Sequence, residues 1–226
     1  MNGGQLKVHG LDAAVQEAIR GRILEGDLRP GDPLVEAQLS AEFGISKTPV
    51  REALIALGRD GLVDQVPHHV TRVATPVAAD IAHACELRGW LEGEVAAERA
   101  VKEAGDLHAA LRKTIRDARA ALKADDVHAY TEAVEAFSDV LIQDADNRYA
   151  REVIQRLRNI LALTANVAQR TAGRRRRSID EHAKILKAMV AEDPDGTREA
   201  IRAHMESIEK DALAALADLE ADAARN

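Results

Sequence analysis

Ser46, Lys47, Thr48 and Arg51 bring two hydroxyls and two cations together where a helical pattern begins. The first turn of a helix carries unpaired amides and a partial positive charge, so it attracts phosphate, and short polar side chains let the backbone come close. Lys47 and Arg51, four residues apart, project from one face, while Val50, Leu54 and Leu57 leave the opposite face to a core. An arginine in that position can donate two hydrogen bonds to guanine while its neighbours hold phosphates. The competing reading is a capped surface helix in which Arg51 pairs Glu52 or another acid. Arg174-Arg175-Arg176-Arg177 reads as a solvated loop run, with DNA phosphates or a partner's acidic face as further readings. Cys85 stands alone, and no CxxC or Cys/His zinc spacing occurs. With no nucleophile–base pair and no phosphate loop, the chain does not read as an enzyme.

The elements that must position these residues follow from periodicity and turn chemistry. Leu11 to Glu25 carries Ala14, Val15, Ala18, Ile19 and Ile23 at helical spacing, and Gly26 stops it. Pro30-Gly31-Asp32-Pro33 forces a reversal. A short helix over Val35–Phe43 ends at Gly44, and a third starts after Ser46, tolerates Pro49 in its first turn and stops near Asp60 before Gly61. Leu62–Val66 and Val70–Ala74 then predict two short strands around Pro67-His68-His69. Three helices and a hairpin predict a winged helix-turn-helix over residues 8–75.

From residue 76 to 226 the pattern is amphipathic helix throughout, at about 77–104, 106–124, 126–145, 147–171, 178–193 and 196–223. Ser178-Ile179-Asp180-Glu181 matches a capping box and predicts a helix start at Ser178. Trp90 is most simply a core residue. The fold class expected is mainly α, a winged helix-turn-helix followed by a bundle of about six to seven helices. Of the 226 residues 46% are hydrophobic, with only two Phe, two Tyr and one Trp, which favours helix over strand. No apolar run is long enough to span a bilayer, and MNGGQLKVHG lacks the apolar stretch of a signal peptide, so a soluble, cytoplasmic protein without membrane contact is expected. Net charge is −7, so any contact with DNA depends on a few placed side chains rather than a basic surface.

Ile23-Leu24-Glu25-Gly26-Asp27-Leu28-Arg29-Pro30-Gly31-Asp32-Pro33-Leu34, Gly44-Ile45-Ser46-Lys47-Thr48-Pro49-Val50-Arg51-Glu52-Ala53-Leu54 and Asp60-Gly61-Leu62-Val63 closely resemble the DNA-binding domain of GntR-family bacterial transcription regulators. Arg88-Gly89-Trp90-Leu91-Glu92, Glu181-His182-Ala183-Lys184-Ile185 and Ala203-His204-Met205 resemble the all-helical effector (FCD) domain of the family's FadR-type branch. The resemblance implies a dimeric repressor or activator that binds an inverted-repeat operator, with DNA affinity modulated by a small metabolite in the helical domain. Family wings usually place a glycine and basic residues at the tip, whereas this chain has Pro67-His68-His69-Val70. His68 and His69 could still donate to phosphate or a minor-groove edge, more strongly when protonated.

Many domains of this type hold a divalent ion with an Asp and a His four apart plus two later histidines. The later pair matches His182 and His204, while the earlier pair falls on Val134 and Ser138, which are not good ligands. Glu135 and Asp139 keep the spacing but lie about 100° round the helix. The resemblance therefore leaves two expectations open. One is a zinc-like ion at a degenerate site containing His182 and His204. The other is metal-free recognition of an acidic or polar effector, possible as a carboxylate, by Arg88, Ser138, His182 and His204, unless Arg88 simply pairs Glu92. A helical domain that only dimerises or recruits a partner is the alternative to effector binding.

Overall fold

A computed structural model describes residues 9–65, 70–102, 105–168 and 172–223. Among them lie nine helices and a two-stranded sheet, and the chain divides into two units, Met1–Val77 with Asn159–Asn166 and Ala78–Arg158 with Val167–Asn226. No described helix is long and apolar enough to cross a membrane.

The first unit opens with α1 (His9–Glu25), α2 (Glu36–Phe43) and α3 (Lys47–Arg59). Val15, Ile19 and Ile23 recur every fourth residue of α1 and are buried with Leu39 of α2 and Val50, Leu54 and Leu57 of α3. Leu163 joins the same core. Gly44 ends α2 in the left-handed region (φ 66°), where a side chain would be strained, and its turn is closed by Ile45 N–H donating to the Ser40 carbonyl at 3.0 Å. Two residues later the chain enters α3 at Ser46, whose backbone is extended although its hydroxyl makes no capping hydrogen bond. That short turn fixes the angle between α2 and α3.

β1 (Val63–Asp64) and β2 (Arg72–Val73) pair antiparallel with Val63 opposite Val73 and Asp64 opposite Arg72. They are shorter than the sequence predicts. The Pro30–Leu34 turn lies against β2, with Gly31 N–H donating to the Val73 carbonyl at 2.9 Å and Leu34 N–H to the Thr71 carbonyl at 2.7 Å. These bonds use the edge of β2 turned away from β1, since Ala74 N–H donates to the Leu62 carbonyl while both backbone groups of Val73 are taken by Gly31 and Asp32. The tip residues Val66 to His69, and with them His68 and His69, lie outside the described residues.

The second unit comprises α4 (Ala78–Lys102), α5 (Gly105–Ala124), α6 (Val127–Ile142), α7 (Arg148–Ala168), α8 (Ala172–Val190) and α9 (Pro194–Ala223), with residues 159–166 of α7 assigned to the first unit. α4 packs on α9, α5 on α6, and α8 on both α5 and α9. Leu111, Tyr130, Phe137, Leu141, Ile154, Ile185, Met189 and Ile201 are among its most buried side chains. Starts are marked by acceptors: Asp126 Oδ1 receives Ala129 N–H at 2.9 Å, Asn147 Oδ1 receives Ala150 N–H at 3.1 Å, and Asp193 Oδ1 receives Gly196 N–H at 2.9 Å. A β-carbon at Gly196 would sit 2.2 Å from Asp193 Oδ2, so a side chain there would displace the Asp193 carboxylate from its capping position.

Two sequence expectations are corrected here. α8 begins at Ala172 rather than Ser178, so Ser178 and Glu181 lie within the helix, and the four arginines occupy its first turns instead of a loop. Arg174 and Arg175 are buried, whereas Arg176 and Arg177 are exposed. A capping-box pattern only permits a helix start, and here favourable helix formers upstream carry the helix through it. Trp90 is the second correction: it is 58% exposed on α4 rather than core. Trp90, Leu87 and Val101 lie on one exposed stripe of that helix.

Candidate functional site

The head of α3 is solvent-facing. Ser46, Lys47, Thr48 and Arg51 are all exposed, while Pro49, Val50, Ala53, Leu54 and Leu57 turn into the core. The apolar face thus anchors the helix and leaves its polar N-terminal residues free to meet a groove, the arrangement by which a recognition helix docks. Arg51 does not pair Glu52. Its Nε donates to Glu36 Oε1 and its Nη2 to Glu36 Oε2, both at 3.0 Å. The Arg51 hydrogen bond, helped by the charges of Arg51 and Lys47, outweighs partial burial and lowers the Glu36 pKa.

The second constellation is interior and belongs to the helical unit. Arg88 and Glu92, one turn apart on α4, are both buried, with Arg88 Nε donating to Glu92 Oε1 at 2.6 Å. Arg88 Nη2 lies 3.4 Å from Ser138 Oγ on α6. His182 on α8 stacks on Phe137 with ring centroids 4.0 Å apart and planes 4° apart, and meets His204 of α9 edge-on at 4.9 Å. The structure therefore places Arg88 beside Ser138 and His182 beside His204, the four residues expected from sequence, with His182 near enough to Arg88 to feel its charge.

Three charged residues of this cluster were missed in the sequence. His204 Nδ1 lies 2.8 Å from Glu181 Oε2 and donates to it in the tautomer this contact favours. Arg174 faces the same carboxylate, with Nη1 3.6 Å from Glu181 Oε2, and pairs through Nε with Asp211. Exposed Arg177 also donates to Asp211, at 2.8 and 3.1 Å. The available signal was spacing: Glu181 follows Arg174, and Asp211 follows His204, by two helical turns, which returns each pair to one face.

These contacts fix protonation. Burial pushes the His182 imidazole well below its ordinary value of 6.5, reinforced by His204, Arg174 and Arg88, so it is neutral near pH 7. Burial alone would raise Glu181, but hydrogen bonds from His204 and Ser207 outweigh it and hold the carboxyl below its usual range. Burial also pushes the Cys85 thiol up to about 12, leaving it without nucleophilic character near neutrality.

The residues present do not fit a resident divalent ion. Val134 packs as a partly buried hydrophobic residue against the core, and Ser138 Oγ faces the Arg88 guanidinium. Asp139 pairs with Arg158, whose Nη2 also donates to the Glu135 carbonyl. Among the described residues no group of three or more His, Cys, Asp and Glu side chains is arranged to hold an ion, and two imidazoles fall short of the three or four protein ligands that zinc-like ions take.

A winged helix-turn-helix with a polar, exposed recognition-helix start, joined to a separate helical unit with a buried polar cluster, defines the chain as a DNA-binding transcription regulator. Residues 11–73 match the model of bacterial regulatory proteins of the gntR family, and residues 83–207 match the FCD domain. The chain belongs to the GntR family and carries an FCD domain. It is 24% identical over 194 residues to the HTH-type transcriptional repressor RspR of Escherichia coli strain K12, covering 86% of this chain and 85% of that protein. Among solved structures, E. coli McbR/YncC superposes with a TM-score of 0.75 at 22% identity, covering 87% of this chain and 93% of the other. A GntR structure from Rhodococcus sp. RHA1 gives 0.74 at 22% identity, covering 90% and 97%.

A neutral buried imidazole ties stability to pH. His182 has a folded pKa below its unfolded value of 6.5, so the unfolded chain binds the extra proton and stability falls as pH drops through 6.5. One such group changes the unfolding equilibrium by up to about tenfold per pH unit. Urea unfolding at pH 7.5 and 5.5 should show this loss in the native chain and a smaller one in His182→Asn. Equal losses in both would remove His182 as its source.

Proposed function

We propose that the chain is a ligand-responsive, sequence-specific regulator that binds an inverted-repeat operator as a homodimer. The observation that carries this reading is the pairing, in one chain, of an exposed Ser46-Lys47-Thr48 and Arg51 surface on α3 with a helical unit whose interior holds Arg88, Ser138, His182 and His204. Each subunit inserts the start of α3 into a major groove, Arg51 meeting a guanine edge while Ser46, Lys47 and Thr48 hold phosphates. DNA as target places its action in the cytoplasm.

The helical unit takes a small effector through its own side chains, without a resident metal. A carboxylate or other strong acceptor competes with Glu92 for Arg88, Ser138 adds a hydroxyl, and neutral His182 offers one donor and one acceptor. A second reading, in which the unit only dimerises or recruits a partner, is favoured by one observation: Arg88, Arg174 and His204 already face the counter-groups Glu92, Asp211 and Glu181.

The α4 stripe suits a second copy of the chain. Leu87, Trp90 and Val101 are exposed along it, and two of its carboxylates are paired, Glu94 with Arg198 at 2.8 and 3.0 Å and Glu98 with Lys102. An apolar stripe edged by paired charges is a surface that an isologous contact can cover.

Three variants separate these roles. Arg51→Ala should weaken binding to a duplex selected from a random pool by about 5- to 150-fold, and by a smaller factor for a non-specific duplex; unchanged selected-duplex affinity would remove its assigned role. Arg88→Ala combined with Glu92→Gln, so that no buried carboxylate is left unpaired, and purified without added metal, should keep DNA affinity but lose the rise in melting temperature that a carboxylate panel produces with the native protein. If the native protein shows no rise with any member while its operator is bound normally, the dimerisation-only reading takes over. Trp90→Glu should sediment as a monomer, and a dimer of undiminished stability would move the interface elsewhere.

A further inference from the structure

Arg51 is held by a carboxylate from another helix before it meets any DNA. Glu36 opens α2, fifteen residues upstream, and the two side chains form parallel hydrogen bonds of 3.0 Å through Nε and Nη2. The meeting is dictated by the core beneath it: Leu39 of α2 and Val50 and Leu54 of α3 are buried together, and the Gly44 turn sets how one helix leaves the other. Both charges remain in contact with solvent, with 60% of the Arg51 side chain and 32% of the Glu36 side chain exposed. An exposed pair of this kind contributes little to stability, so its geometry invites a different explanation.

A guanidinium offers two kinds of two-donor edge. Its side edge uses Nε–H with one Nη–H, and its end edge uses one N–H from each Nη. Glu36 occupies the side edge of Arg51. The end edge is left, and a pair of donors there matches the O6 and N7 acceptors of guanine in the major groove. Glu36 also fixes the long side chain before binding, so less rotamer freedom is lost on contact. Its negative charge has a further effect. It cancels the Arg51 cation for purposes of phosphate attraction, which depends on charge and not on hydrogen-bond direction.

We propose that Glu36 is a specificity-determining positioning residue: by holding the Nε/Nη2 edge of Arg51 it aims the remaining fork at a base and withdraws the cation from non-specific phosphate binding. This inference rests on the reading that Arg51 meets a base edge. Glu36 itself touches no DNA.

The test uses the full-length protein, a duplex selected from a random pool by the native chain, single-base-pair variants of it, and an unrelated duplex, each titrated by fluorescence anisotropy over a range of salt. Glu36→Gln should lose discrimination at the same base pair as Arg51→Ala, by about 5- to 150-fold. Its affinity for the unrelated duplex should rise, and the slope of log affinity against log salt should steepen by roughly one per subunit, because a cation has been released to phosphate. In the Arg51→Ala background, Glu36→Gln should cause no further loss of discrimination, while affinity for the unrelated duplex still rises because a carboxylate is removed in either case. Discrimination intact in Glu36→Gln but lost in Arg51→Ala would overturn the role of Glu36 and leave that of Arg51 standing. An equal loss from Glu36→Gln in both backgrounds would mean a general effect on the head and would overturn it too. If Arg51→Ala keeps full discrimination, the underlying reading fails and the inference with it.

Discussion

Moving a guanidinium from water into a helical bundle costs several kcal/mol unless a counter-charge and hydrogen bonds accompany it. The helical unit carries Arg88 and Arg174 inside, and its arrangement follows from meeting that demand. Glu92 comes with Arg88 on the same helix, one turn on, so that pair is set as soon as α4 forms. Arg174 cannot be satisfied locally; Glu181 lies two turns along its own helix, while Asp211 is brought by α9. The register of α8 against α9 is therefore specified electrostatically as well as by packing, since a slip of one turn would separate Arg174 from Asp211 and His204 from Glu181.

This demand also sets the terms on which the proposed effector would enter the interior. Buried ion pairs contribute little net stability, because their attraction mainly offsets desolvation, but breaking one without replacement is strongly unfavourable. A ligand that offers Arg88 a new partner must leave Glu92 with another, and such an exchange shifts side chains on α4 and α6 together. The neutral His182, stacked on Phe137, borders that exchange without adding a charge of its own.

The N-terminal head was legible in the sequence because local chemistry decides it: Pro30-Gly31, Gly44 and Gly61 each end or reverse an element, and the apolar spacing between them has one period at a time. The polar cluster was legible only through its histidines, Arg88 and Ser138. Arg174 hid in a run of four identical residues, where composition suggests solvent, because nothing local distinguishes the two that turn inward from the two that do not. The misplaced start of α8 has a related origin: a cap motif reports only a possible end, and the helix formers upstream carry the helix past it, where Arg174 then reaches Asp211. Trp90 shows the converse, since an apolar residue on an amphipathic helix is assigned inward by default, and only packing reveals a second apolar face.

The chain holds a single tryptophan. Because Trp90 stands on the outer face of α4, its indole emits from a watery environment when that face is bare and from a drier one when it is covered. The protein thus carries an optical reporter, with no second indole to dilute it, on the face proposed to meet a second copy.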